Sequence, residues 1–165
     1  MNRNMKYSVL LSILIGCLLP TMSQTHANPV YSVNILNRPW NCSFYNGYQV
    51  PIYLDPSLNN VGVAGNTPPH IVLNPVVMNQ FSPTMQIFWL AHECVHATYQ
   101  PVSANENQEM TADCIAIKQL RQLNLSPREV NEIAWQTLPL LGSTHTGHLP
   151  GPLRAQHIMQ CYMSP

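Results

Sequence analysis

The chain has 165 residues, 45% of them hydrophobic and only 8% charged, with 15 prolines, five cysteines and a formal net charge of zero. That length suits one domain, and the apolar share supports a core and argues against disorder. A neutral balance with seven histidines argues against a protein that binds nucleic acid or a membrane surface through bulk electrostatics.

Residues 1–27 read as a secretory signal peptide. Arg3 and Lys6 precede an apolar run from Val9 to Leu19, Pro20 ends it, and Ala27 offers a small residue for cleavage. The run is too short to span a bilayer. Within it, Leu14-Ile15-Gly16-Cys17 resembles a bacterial lipobox whose Cys17 would carry a lipid anchor, although Leu18 and Leu19 continue apolar where a lipoprotein turns polar. The remainder, 28–165, is expected to form a single exported domain, periplasmic or secreted, with a formal charge of −2 once Arg3 and Lys6 are removed.

From Asn28 to Asn79 the sequence is rich in Asn, Pro, Val and Tyr. Gln49–Leu54 and His70–Leu73 are expected as short strands. Pro68, Pro69 and Pro75 bracket the second, which predicts a place at the sheet edge. Asn59–Asn66 reads as a Gly- and Asn-rich loop. Helices are predicted after Ser82-Pro83, to about Tyr99; after Asn105-Glu106-Asn107-Gln108, to about Leu123; after Ser126-Pro127-Arg128-Glu129, to about Leu138; and from Gly151-Pro152 through Cys161. Strands followed by helices predict an α+β domain.

Cys42, Cys94, Cys114 and Cys161 remain after processing, an even number that suggests two disulfides in an exported chain. Of three possible connectivities, the expectation is Cys42–Cys161 with Cys94–Cys114. The absence of a CxxC pair speaks against a thiolate metal site.

The chemistry concentrates in His92-Glu93-Cys94-Val95-His96. On a helix the two histidines project from one face about 5–6 Å apart, a spacing at which two imidazoles can meet one ion at about 2.0–2.1 Å. Glu93 lies about 100° around the helix, where it can reach a water in the metal's open position. Cys94 points away from His92 and is neither nucleophile nor ligand. A surface helix would leave these groups in solvent, but Met85, Ile87, Phe88, Trp89, Leu90 and Val95 mark this one as a core helix, where polar groups need partners. On the next helix Glu109 can supply a third ligand and Asp113, four residues on, can orient a ligand imidazole. Ala112 and Ala116 beside them allow close helix packing.

His92, Glu93 and His96 followed by Glu109 and Asp113 resemble the HExxH…ExxAD pattern of the gluzincin zinc metallopeptidases. The segment His148-Leu149-Pro150-Gly151-Pro152-Leu153-Arg154 is similar to the H-P-x-x-x-x-R segment of the CAAX prenyl endopeptidases and the bacterial heat-shock membrane peptidases, with proline displaced by one position. The matching motifs span about half the chain, and the membrane helices of those peptidases have no counterpart. The resemblance implies a zincin-like domain with one zinc on His92, His96 and Glu109, Glu93 as general base, and a peptide or protein substrate. It places His148 and Arg154 at the substrate carbonyl or the site wall, and suggests His70–Leu73 as the edge strand that pairs with substrate. A bland alternative is His148 bonded to Arg154 or Asp113. Tyr99 is a further candidate donor, His145 and His157 read as surface or structural, and His70 has no assigned role. Other readings are a zinc-binding module that no longer cleaves but binds a protein partner, and a zinc hydrolase of a non-peptide, cell-wall amide. Two-carboxylate glycosidase and Ser or Cys nucleophile schemes find no support.

Overall fold

The computed structural model describes residues 28–99, 108–142 and 148–165. The expected signal peptide, Cys17, His145 and the Asn105 cap lie outside the described residues. In chain order come β1 (Val33–Ile35), β2 (Arg38–Trp40), β3 (Ile52–Leu54), β4 (Gly62–Asn66), β5 (Pro69–Leu73), α1 (Pro75–Met78), α2 (Pro83–Thr98), α3 (Gln108–Gln122), α4 (Pro127–Thr137) and α5 (Gly151–Met163). The α+β expectation holds.

β1 and β2 form a hairpin, turned by Leu36 and Asn37 at positive φ. The main sheet has the order β3-β5-β4, with β5 parallel to β3 and antiparallel to β4. This corrects two expectations. The segment expected as a loop, Asn59–Asn66, contains strand β4. His70–Leu73 belongs to the middle strand, so β4 and not β5 stands at the edge. The bracketing prolines mislead because they fall outside the ladder's demands: Pro69 is the first residue of β5, and Pro75 opens α1. A missing N–H is harmless at both places. Asn74 caps α1 by accepting from the amides of Val76 and Val77, while its amide donates to the Pro56 and Leu58 carbonyls.

The helix starts follow their caps. Ser82 Oγ accepts from the Met85 amide, and Gln136 of α4 donates to the same oxygen at 2.6 Å, tying α4 to the start of α2. Ser126 and Glu129 form a complete capping box on α4. Gly151 opens α5 against the Thr137 and Leu138 carbonyls, which a Cβ would strike.

Helix α2 is the centre of the fold because it is apolar on more than one side. Toward the helices, Phe88 and Trp89 join Ile117, Leu120, Val130, Ile133 and Ile158. Toward the sheet, Leu90 and Ala97 join Val50, Ile52, Ile71 and Leu73. Complete burial of a side chain such as Phe88 stabilises the fold by about 1.5–3 kcal/mol.

The cysteines pair as Cys42–Cys94 and Cys114–Cys161, which corrects the expected connectivity. Cys94 lies on the sheet-facing side of α2, against the cluster that contains fully buried Cys42. Cys114 and Cys161 meet where α3 and α5 pack. The Cα atoms are 5.5 Å and 5.1 Å apart in the two bridges, within the span a disulfide closes. Among the described residues, no helix is long and apolar enough to cross a membrane.

Candidate metal centre

Because His92 and His96 are one helical turn apart on α2, their rings converge, with Nε2 atoms 3.1 Å apart. Glu109, in the first turn of α3, reaches between them. Its Oε2 lies 3.1 Å from His92 Nε2 and its Oε1 lies 3.3 Å from His96 Nε2. The two imidazole nitrogens and the two carboxylate oxygens thus gather, with nitrogen–nitrogen and nitrogen–oxygen separations of 3.1–3.3 Å. A tetrahedral zinc with bonds of about 2.0–2.1 Å spaces its ligands about 3.3–3.4 Å apart. The residues therefore fit a zinc ion in both donor type and spacing.

His92 has a carboxylate at each ring nitrogen, Asp113 at Nδ1 and Glu109 at Nε2; a neutral ring can donate to only one of them, so the other contact calls for a proton or a metal. Burial would lower the His92 imidazole, but Asp113 and Glu109 outweigh it and push it up to about 9. Burial would likewise raise Glu109, yet His148, His92 and His96 around it hold its carboxylate well below the usual range. The same carboxylates that favour a proton on His92 would favour a divalent ion between the donors.

Behind these donors runs a buried polar chain. His92 Nδ1 lies 2.8 Å from Asp113 Oδ1, and Arg154 donates to Asp113 through Nε at 2.7 Å and Nη2 at 2.5 Å. Burial opposes ionisation of Asp113, but His92 and Arg154 hold its carboxyl below the usual carboxylate range. The Arg154 guanidinium stacks over Trp89, 4.8 Å from the ring centroid. Asp113, expected from the sequence to orient a ligand imidazole, lies beside the His92 ring. Arg154, expected at the substrate carbonyl or the site wall, is instead 3% exposed and engaged with Asp113. The close approach of α3 to α2 rests on buried Ala112 and Ala116, small residues that let the carboxylates reach the rings.

Glu93 faces the same space from its own side of α2. It is buried, and burial is the main cause of the upward shift of its carboxyl, opposed by the nearby His92 and His96. Gly62 makes room for it: a Cβ there would lie 3.0 Å from Glu93 Cγ and 2.9 Å from Leu73 Cδ2. His148 enters from the opposite wall, with Nε2 2.9 Å from Glu109 Oε2. Glu109 is thus one of its partners, while Arg154 and Asp113 pair with each other.

These groups line an open cavity of about 670 Å³, walled by β4 from Gly62 to Asn66, by His92, Glu93, His96 and Tyr99 of α2 and its end, and by Gln108, Glu109 and Thr111 of α3. The β4 wall was missed in the sequence, where Gly-Val-Ala-Gly-Asn reads as a loop; its signal was the small-residue run itself. Tyr99 lies at the rim. His70 lies in β5 with Nδ1 2.8 Å from the Pro68 carbonyl, and His157 lies on α5 with Nε2 2.8 Å from the Met110 carbonyl. No protein-family model, no curated protein and no solved structure matches this chain.

Proposed function

We propose that the protein is a zinc-dependent metallopeptidase with a zincin-like domain, in which His92, His96 and Glu109 hold the ion and Glu93 is the general base. The observation that carries this reading is Glu93: a carboxyl buried beside these donors, opening on a cavity, has no use in a purely structural site. Zinc, when bound, would act as a Lewis acid toward a carbonyl and acidify a water.

The chain's own residues divide the remaining work. Glu93 takes a proton from the attacking water and returns it to the leaving amine, a task that suits a carboxyl raised toward neutrality. Asp113 holds the His92 ring so that Nε2 faces the ion, and Arg154 keeps Asp113 ionised from behind. His148, at the cavity wall, is the donor best placed to stabilise negative charge developing on the substrate oxygen. β4, the edge strand of the sheet among the described residues, runs along the cavity and would pair with an extended peptide, which favours a peptide or protein substrate. Two disulfides suit an oxidising compartment and an exported protein.

The test is Glu93→Gln, assayed for cleavage of an unfolded protein such as casein and for zinc by elemental analysis. The variant is expected to keep zinc and lose cleavage. Cleavage at the wild-type rate by the zinc-loaded variant would refute the assignment of the base.

A further inference from the structure

Helices α3 and α5 together carry a second set of metal-capable side chains. On α5, His157 and Cys161 stand four residues apart, the spacing that His92 and His96 have on α2, and Cys114 of α3 lies against them. The ligand atoms of Cys114, His157 and Cys161 all lie within 4.8 Å of one another. His157 Nε2 is 3.5 Å from Cys161 Sγ. Around a tetrahedral zinc with bonds of about 2.3 Å to sulfur and 2.0–2.1 Å to nitrogen, that separation would be about 3.6 Å. In the disulfide form the N–H of that nitrogen donates to the Met110 carbonyl at 2.8 Å, so ion binding requires the ring to carry its proton on Nδ1 and to give up this bond. Cys161 is buried, whereas Cys114 and His157 are half-buried, so the cluster can be reached by small reagents and ions.

We propose that the Cys114–Cys161 pair, once reduced, forms with His157 a thiolate metal site for a soft or borderline divalent ion such as zinc. The disulfide and the bound metal are then alternative states of the same two sulfurs. The exchange balances with a dithiol or a phosphine as reductant. A dithiol supplies two electrons and two protons and becomes a disulfide; a phosphine supplies the electrons, with water giving the protons and the oxygen of the phosphine oxide. The sulfur–sulfur bond breaks to two thiols, and these lose their protons as the ion binds. The imidazole beside Cys161 favours this step, since a neighbouring histidine stabilises a thiolate and can itself act as a ligand. Thiolates with one imidazole select zinc and its analogue cobalt over magnesium or calcium. Either the disulfide or the ion would clamp α3 to α5. The proposal does not depend on the peptidase reading, because the donors are different.

Cobalt(II) titration of the full chain, oxidised and after reduction with a water-soluble phosphine under anaerobic conditions, tests it by absorption spectroscopy. The oxidised protein is expected to bind cobalt only through nitrogen and oxygen, without a thiolate-to-metal charge-transfer band. The reduced protein is expected to bind one further equivalent and show that band. Reduction also frees Cys42 and Cys94, so the decisive comparisons are Cys114→Ala/Cys161→Ala, which should lose the band, and His157→Ala, which should weaken the added equivalent by about tenfold or more. His157→Ala leaves both disulfides able to form and keeps the test valid if the double variant does not fold. No band in the reduced wild type, a band that survives in the double variant, or unchanged affinity in His157→Ala would each overturn the proposal.

Discussion

Arg154 and Asp113, 41 residues apart in sequence, form a bidentate pair inside the protein, and the oxygen of Asp113 that faces Arg154 Nη2 also faces His92 Nδ1. One buried carboxylate therefore joins α5 to α3 and α3 to the histidine of α2. Removing one partner of such a pair leaves an unpaired charge in the interior, at a cost of about 3–5 kcal/mol. Arg154→Ala is expected to lower stability by that amount. Asp113→Asn, which keeps the shape, is expected to weaken zinc by about 10–100-fold. Thermal unfolding and competition with a chelator measure the two effects; a zinc affinity unchanged in Asp113→Asn would remove Asp113 from the support of the site.

Gly62 is predicted to set the position of Glu93. A methyl group at residue 62 crowds Glu93 Cγ and Leu73 Cδ2, and overpacking of this kind costs about 1–3 kcal/mol. Gly62→Ala should therefore retain its zinc, since none of the donors is touched, while cleavage falls through a displaced base. Zinc content and casein cleavage measured side by side check this, and full activity would show that Glu93 has room to spare.

In the metal-free protein, pH acts on stability through His92. Its imidazole is raised to about 9 from about 6.5 in an unfolded chain. The folded state therefore binds the proton more tightly, and the stabilisation is fully present below about 6.5 and lost as pH rises through about 9. Zinc competes with the same proton, so zinc affinity should rise with pH across that window. Chemical denaturation of the metal-free protein at pH 6, 7.5 and 9 is expected to show a steady loss of stability. A flat profile would contradict the charged state of His92.

The helical half of the fold and the donor set are legible in the sequence because each rests on a local rule. Ser82-Pro83 and Ser126-Pro127 announce helix starts, and the spacing of His92 and His96 is a property of any helix. Less legible are features that depend on what meets across the fold. The strand β4 reads as a loop because Gly62 and Gly65 have low strand propensity; what they provide is closeness to neighbouring side chains, which only the folded structure reveals. The disulfide partners could not be read because connectivity follows from which sides of α2 and α3 face the sheet and α5. Arg154 follows His148 by six residues, but its place behind Asp113 follows from the packing of α5, not from that distance in sequence.

The central claim is that His92, His96 and Glu109 hold a metal ion. Elemental analysis of purified protein, wild type beside Glu109→Ala, tests it most directly. The account predicts about one zinc per wild-type chain, as a single four-coordinate site takes, and markedly less in the variant. A well-folded wild type that takes up no zinc when it is supplied would contradict it and leave the three donors as a proton-bridged core cluster.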